Sequence, residues 1–183
     1  MNRQTSFNLQ PLLENDLLIL RPLLEDDFDD LYRIASDPLI WEQHPSKDRY
    51  QQGVFSIFFK DAMLSGGAFV VINKETRQII GSTRFHLIKE APNAVEIGWT
   101  FLARQFWGGR WNRSMKSLLI HYAFDFVDNV LFYIGKDNFR SQRAVEKIGG
   151  EQITSIEGQM LEVRQDASIM YNISKKNWES LGK

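Results

Sequence analysis

The stretch "RQFWGGRWNRSMKSLL", Arg104 to Leu119, places two adjacent glycines at the point where a helix has to begin. Upstream lies "AVEIGWTFL" (94–102), an apolar run of strand length. Downstream, the spacing predicts a helix over about Asn112–Val127, with Met115, Leu118, Leu119, Tyr122 and Phe126 on one face. The unit is therefore strand, loop, helix. The first amides of a helix have no partner within it, and together they carry about half a positive charge. Glycines before that end let an anion approach the backbone, and Arg110 and Arg113 add charge. Two readings follow: a cradle for a phosphate or pyrophosphate, or a turn in which Gly108 and Gly109 only supply unusual dihedrals. A P-loop does not fit, because no "GKS" or "GKT" ends the loop, and GxGxxG is also absent.

On either side of this unit the pattern mixes strands and helices. "DLLILRPLL" (16–24) reads as a strand. "EDDFDDLYRIASD" follows as a helix, with Phe28, Leu31, Tyr32 and Ala35 at helical spacing and Glu25, Asp26 and Asp27 complementing its positive end. A second helix is predicted over 49–64, with Val54, Ile57, Phe58 and Ala62 inward and Gly66-Gly67 as its stop. "AFVVIN", "QIIGSTRFHLI" and "AVEIGWTFL" read as three strands, the first two joined by a turn at "KETRQ". "NVLFYIG" is a further strand. "FRSQRAVEKIGG" is a helix with Ala144, Val145 and Ile148 inward, "EQITSIEGQMLEVRQDASIMYNI" is a final hairpin or strand pair, and "KKNWESL" is a terminal helical turn. Hairpins combined with β-α-β crossovers define an α+β, or mixed α/β, fold.

The bulk composition narrows function. The chain has 183 residues, the size of one domain, and no linker, repeat or low-complexity tract divides it; its core is expected over about 16–173. Net charge is −1, from 22 basic and 23 acidic residues, which speaks against general nucleic-acid affinity. With no cysteine, there is no thiolate nucleophile or thiolate metal site. His44, His86 and His121 lack metal-ligand spacing, and no GxSxG marks a hydrolase. No apolar signal segment or membrane span is visible, so the expected location is the cytoplasm.

Three stretches taken in order carry a resemblance. Gln105-Phe-Trp-Gly108-Gly109-Arg110 follows the form [QR]-x-x-G-x-[GA] up to its last slot. Asn138, Ser141, Glu146, Lys147 and Gly149 follow N-x-x-S/A…E-K-x-G. "LRPL" and "AVEIGWTF" sit in the first and fourth strands. From Leu18 to Ile173 this set resembles the GNAT superfamily of N-acetyltransferases, and within it the branch that acetylates N-termini of ribosomal proteins. The resemblance implies a mostly antiparallel central sheet flanked by helices. It implies that Val95–Leu102 and Val130–Gly135 splay to admit acetyl-CoA, with a backbone N–H near Trp99–Phe101 polarising the thioester carbonyl. The expected coenzyme contacts are Thr100, Phe101, Leu102, Gln105, Trp107, Gly108, Gly109, Arg110, Trp111, Asn112, Asn138 and Ser141. The expected partners are acetyl-CoA and an amine, either a peptide N-terminus or a small molecule, in a monomer or homodimer. Two departures stand out: Arg110 fills a slot usually small, and Val145 stands where many relatives carry a tyrosine acid, which leaves that role to Ser141 or water.

Glu96 is the best candidate base. Alternation places Val95, Ile97, Trp99 and Phe101 on one face and Glu96, Gly98 and Thr100 on the other, so small neighbours leave room beside the carboxylate. Paired with Arg84 or turned to solvent, the same glutamate would be structural. Asn138 and Ser141 also suit the first turn of a helix as ordinary capping residues. Trp41 and His44, in the loop "DPLIWEQHPSK", are candidates for the acceptor pocket.

Overall fold

The strand "AVEIGWTFL" sits at the middle of the molecule. In the computed structural model, which describes residues 7–156, 159–160 and 168–182, it forms β5 (Ala94–Leu102) of an eight-stranded sheet. The other members are β1 (Leu13–Glu14), β2 (Leu18–Pro22), β3 (Ala68–Asn73), β4 (Ile79–Leu87), β6 (Asn129–Gly135), β7 (Glu151–Ile153) and β10 (Ser168–Ser174). Their order is β1-β2-β3-β4-β5-β6-β10-β7. Every pairing is antiparallel except β5 with β6. β8 (Ser155–Ile156) and β9 (Gln159–Met160) form a separate two-stranded ribbon.

The helices are α1 (Phe28–Ala35), α2 (Gln52–Leu64), α3 (Arg110–Ala123), α4 (Phe139–Glu146) and α5 (Lys175–Ser180). Met115, Leu119 and Ile120 of α3 close one face of the sheet over Val95, Ile97 and Leu102. Leu31, Ala35, Phe55, Phe59 and Ala62 of α1 and α2 close the other over Val70 and Phe101. Side chains as large as Phe55 each contribute roughly 1.5–3 kcal/mol on leaving water.

Several expectations shift. Helix α2 buries Phe55, Phe59 and Ala62, while Ile57 is exposed and Phe58 only half-buried. The run Val54–Phe59 is apolar on almost every side, so periodicity alone could not choose its inner face. Asp27 does not serve a helix dipole from the surface. It is buried, receives a bidentate pair from Arg21 at 2.6 and 2.7 Å, and accepts the Leu24 N–H at 2.8 Å.

The largest correction lies in β5. Arg84 opposes Gly98 and Ser82 opposes Phe101, so Trp99 and Thr100 together face the single residue Thr83. This is a β-bulge, and Trp99 takes φ +52° to make it. The extra residue inverts the alternation beyond it. Phe101 therefore joins the α1–α2 side with Glu96 and Gly98, and Thr100 joins Val95 and Ile97 on the α3 side, hydrogen-bonded to Thr83 at 2.8 Å. Trp99 turns to cover Arg84 and His86.

Candidate active site

Strands β5 and β6 pair only at Ala94–Asn129, Val95–Val130 and Glu96–Leu131. Beyond Glu96 the strands part, and their facing edges lose the ladder. Both edges remain firm because each strand is still held on its far side, β5 by β4 and β6 by β10. The bulge at Trp99 lies within the parting segment, and bulges bend the strand that carries them.

A cleft of about 570 Å³ occupies this wedge. Thr100, Phe101, Leu102, Trp107, Gly108, Gly109, Asn112, Asn138 and Ser141 line it, as do Trp41 and His44 from the loop before α2. Gln105, Arg110 and Trp111 do not. Gln105 faces a polar groove near Arg21 and Asp27, Arg110 is exposed at the first turn of α3, and Trp111 packs against Phe106. The outward turn of Arg110 removes the crowding that its bulk would bring to the glycine loop.

The cleft is strongly cationic. Arg113, Lys116, Arg140, Arg143 and Lys147 line it, and no acidic side chain among the described residues does. A chain of net charge −1 has concentrated its cations there. The N-terminus of α3 opens at the same place. Its N-cap, Gly109, offers no side-chain cap to the first amides. Gly108, at φ +69°, occupies a conformation that favours glycine, with nothing within 4 Å of where a Cβ would stand. Uncapped amides, open space and clustered cations fit the diphosphate of a coenzyme. The α4 terminus differs, since Asn138 accepts the Ser141 N–H at 3.2 Å and caps it.

Two residues that sequence reasoning missed have marked geometry. Lys116 is buried with its ammonium 4.9 Å from the Phe132 ring centre, and burial lowers its pKa from 10.5 to about 8. Its position one turn beyond Arg113 on the same helix was the available signal. Arg140 stacks on Trp107 at 3.8 Å and donates to the Ile40 carbonyl at 3.0 Å, tying the start of α4 to the glycine loop and to the loop before α2. No local pattern announces that bridge.

Glu96, in the last pair before β5 and β6 part, is 1% exposed and does not line the cleft. A Cβ on Gly98 would stand 2.9 Å from Glu96 Oε1, so the bare glycine makes room for the carboxylate. Trp41 is a wall: it is buried and its indole N–H donates to the Ala35 carbonyl at 2.7 Å. The His44 ring accepts from Ser46 N–H through Nδ1, and its Nε2 lies 3.1 Å from Arg49 Nη1. Val145 is fully buried in the core.

Comparison with known proteins agrees with this architecture. The model of the acetyltransferase (GNAT) domain matches residues 18–151. An uncharacterized N-acetyltransferase, p20, of Bacillus licheniformis is 32% identical over 117 residues; the match spans 61% of this chain and 65% of that relative. Two Vibrio cholerae structures share the fold. One is a spermidine N-acetyltransferase in complex with CoA and spermine, with TM-score 0.67 and 15% identity over 90% of this chain and 99% of that one. The other, provisionally described as a ribosomal-protein-serine acetyltransferase, has TM-score 0.71 and 15% identity over 90% of this chain and 97% of that one. The split strands, the uncapped glycine turn before α3 and the family match lead to one conclusion: the chain belongs to the GNAT acetyltransferase family.

Proposed function

We propose that this protein transfers an acetyl group from acetyl-CoA to a primary amine by direct attack, without an acylated enzyme. The observation that carries the reading is the cationic wedge where β5 and β6 part, floored by the open N-terminus of α3. Acetyl-CoA supplies the thioester, the activated form of the acetyl group. All other requirements fall to the chain.

Gly108, Gly109 and the first amides of α3 bind the diphosphate, together with Arg113 and Lys116. The unpaired edge of β5 beyond Glu96 offers backbone groups to the pantetheine arm and a donor to the thioester oxygen. Glu96, at the apex of the wedge, takes the ammonium proton that must leave before the nitrogen can attack. The Ser141 hydroxyl, on the cleft wall, protonates the departing thiolate in place of the tyrosine that Val145 replaces. The acceptor enters from the side of Trp41, His44 and Glu96. A protein N-terminus is the preferred acceptor class, and a small amine is the alternative.

A second reading is a silent acyl-CoA-binding domain, favoured by the burial of Val145 where relatives carry an acid. Thiol release from acetyl-CoA in the presence of pooled peptides and small amines separates the two. Release that depends on an amine supports the transferase. Coenzyme binding without release across the whole panel supports the silent domain.

A further inference from the structure

Beside the coenzyme cleft, two arginines share the ring of Phe58 with no ion pair among the described residues. Arg84 on β4 is 6% exposed, and its Nε and Nη2 are shielded from solvent with no hydrogen-bond partner. Among the described residues, neither Arg84 nor Arg49 belongs to an ion pair within 4 Å. Aromatic rings hold both in place. Arg84 lies 4.6 Å from the Trp99 ring centre and 5.8 Å from that of Phe58, while Arg49 lies 4.5 Å from Phe58 and 5.5 Å from Trp41. Burial lowers both guanidiniums to about 10, and Arg84 adds repulsion to Arg49. Both remain cations at neutral pH. Asp61 and Glu96 act on Arg84, and Asp48 on Arg49, only through space.

The two orphaned nitrogens are the informative ones. The Nε–H and one Nη2–H of an arginine run parallel on one side of the group, the fork that fits both oxygens of a carboxylate. Arg84 stands across from Gly98, and the space left by the missing side chain holds the Glu96 carboxylate, whose Oε1 lies 2.9 Å from where a Cβ would stand. Glu96 shares that face of the sheet. Through Arg49 and His44, the cluster connects to the cleft wall.

Resting on the transferase reading above, we propose that the acceptor is a primary amine that also carries a carboxylate. The carboxylate docks on Arg84, with Arg49 as the second cation, while the amine reaches Glu96 and the thioester. This arrangement disfavours polycations such as polyamines and aminoglycosides.

Steady-state kinetics on the full chain tests it with four acceptors: a free α-amino acid, its amide, a C-terminally amidated peptide with an acidic second residue, and spermidine. The expected result is that kcat/KM for at least one carboxylate-bearing acceptor exceeds that of the amide and of spermidine by 10-fold or more, roughly 1.4 kcal/mol. The first and third acceptors tell a free amino acid from an acidic N-terminus. Arg84→Gln should erase the preference by raising acceptor KM while the KM for acetyl-CoA stays within about twofold, and Arg84→Lys should restore only part of it. Should Arg84→Gln fail to fold, Arg49→Gln carries the same expectation.

Wild-type activity indifferent to the carboxylate, or strongest with spermidine, overturns the proposal and leaves the transferase standing. A fall in kcat that is equal for all acceptors with Arg84→Gln also overturns it, because Arg84 would then act by positioning Glu96. If no acceptor releases thiol, the transferase reading fails. Calorimetric titration of the CoA-loaded protein then decides this site, since the amino acid, but not its amide, should bind the wild type and not Arg84→Gln.

Discussion

Replacing Lys116 with methionine should make the coenzyme-free protein more stable while weakening its hold on acetyl-CoA. The side chain is 6% exposed, and burial alone lowers its pKa from 10.5 to about 8. At about 1.36 kcal/mol per pKa unit, that fall corresponds to roughly 3 kcal/mol of cost for keeping the ammonium in the fold. The contact with the Phe132 ring returns about 0.5–2 kcal/mol, so the net gain for Lys116→Met is about 1–3 kcal/mol at pH 7. The sign follows from linkage. Below pH 8 both folded and unfolded chains carry the proton, and the cost is present in full. Between about 8 and 10.5 the folded chain gives up its proton first, so the wild type gains on the variant as pH rises. Urea denaturation of both proteins at pH 7, 8, 9 and 10 without coenzyme should show the gap closing. Acetyl-CoA titrated into the variant at pH 7 should bind about 10-fold more weakly. A variant less stable than the wild type at pH 7, or a gap that does not change with pH, would refute the reasoning.

Other outcomes follow from the same geometry. Gly108→Glu places a carboxylate among the cleft cations at φ +69°, so calorimetry should detect no acetyl-CoA binding while circular dichroism stays native. Gly98→Ala sets a methyl 2.9 Å from Glu96 Oε1; kcat should fall 10-fold or more with the KM for acetyl-CoA little changed. Glu96→Gln should lower kcat 10-fold or more with the KM for acetyl-CoA little changed, and an unchanged kcat would remove Glu96 as the base. Asp27→Ala removes the carboxylate that pairs with Arg21 and accepts the Leu24 N–H, which should cost about 1–3 kcal/mol in urea denaturation.

Much of this molecule could be read locally. The limits of β5 and the glycine turn before α3 follow from residues within one or two turns of each other, as do the cap at Asn138 and the stop at Gly149, which adopts φ +96°. Spacing also marked Met115 and Leu119 as core. The face of α2 was not readable, because a helix apolar nearly all round is oriented only by what it packs against. The bulge at Trp99 was equally silent. "VEIGWTF" alternates cleanly on paper, and only the pairing with β4 forces Trp99 and Thr100 to share one partner.

The sequence by itself determined where strands and helices form and where a helix starts without a side-chain cap, since those outcomes depend on neighbours close along the chain. Only the tertiary structure decided what surrounds that point. Lys116 beneath the cleft, Arg140 stacked on Trp107, and Arg49 and Arg84 gathered around Phe58 are meetings between distant segments. Such meetings depend on strand register and on which apolar face is buried, and a shift of one residue in either would send each of these cations elsewhere.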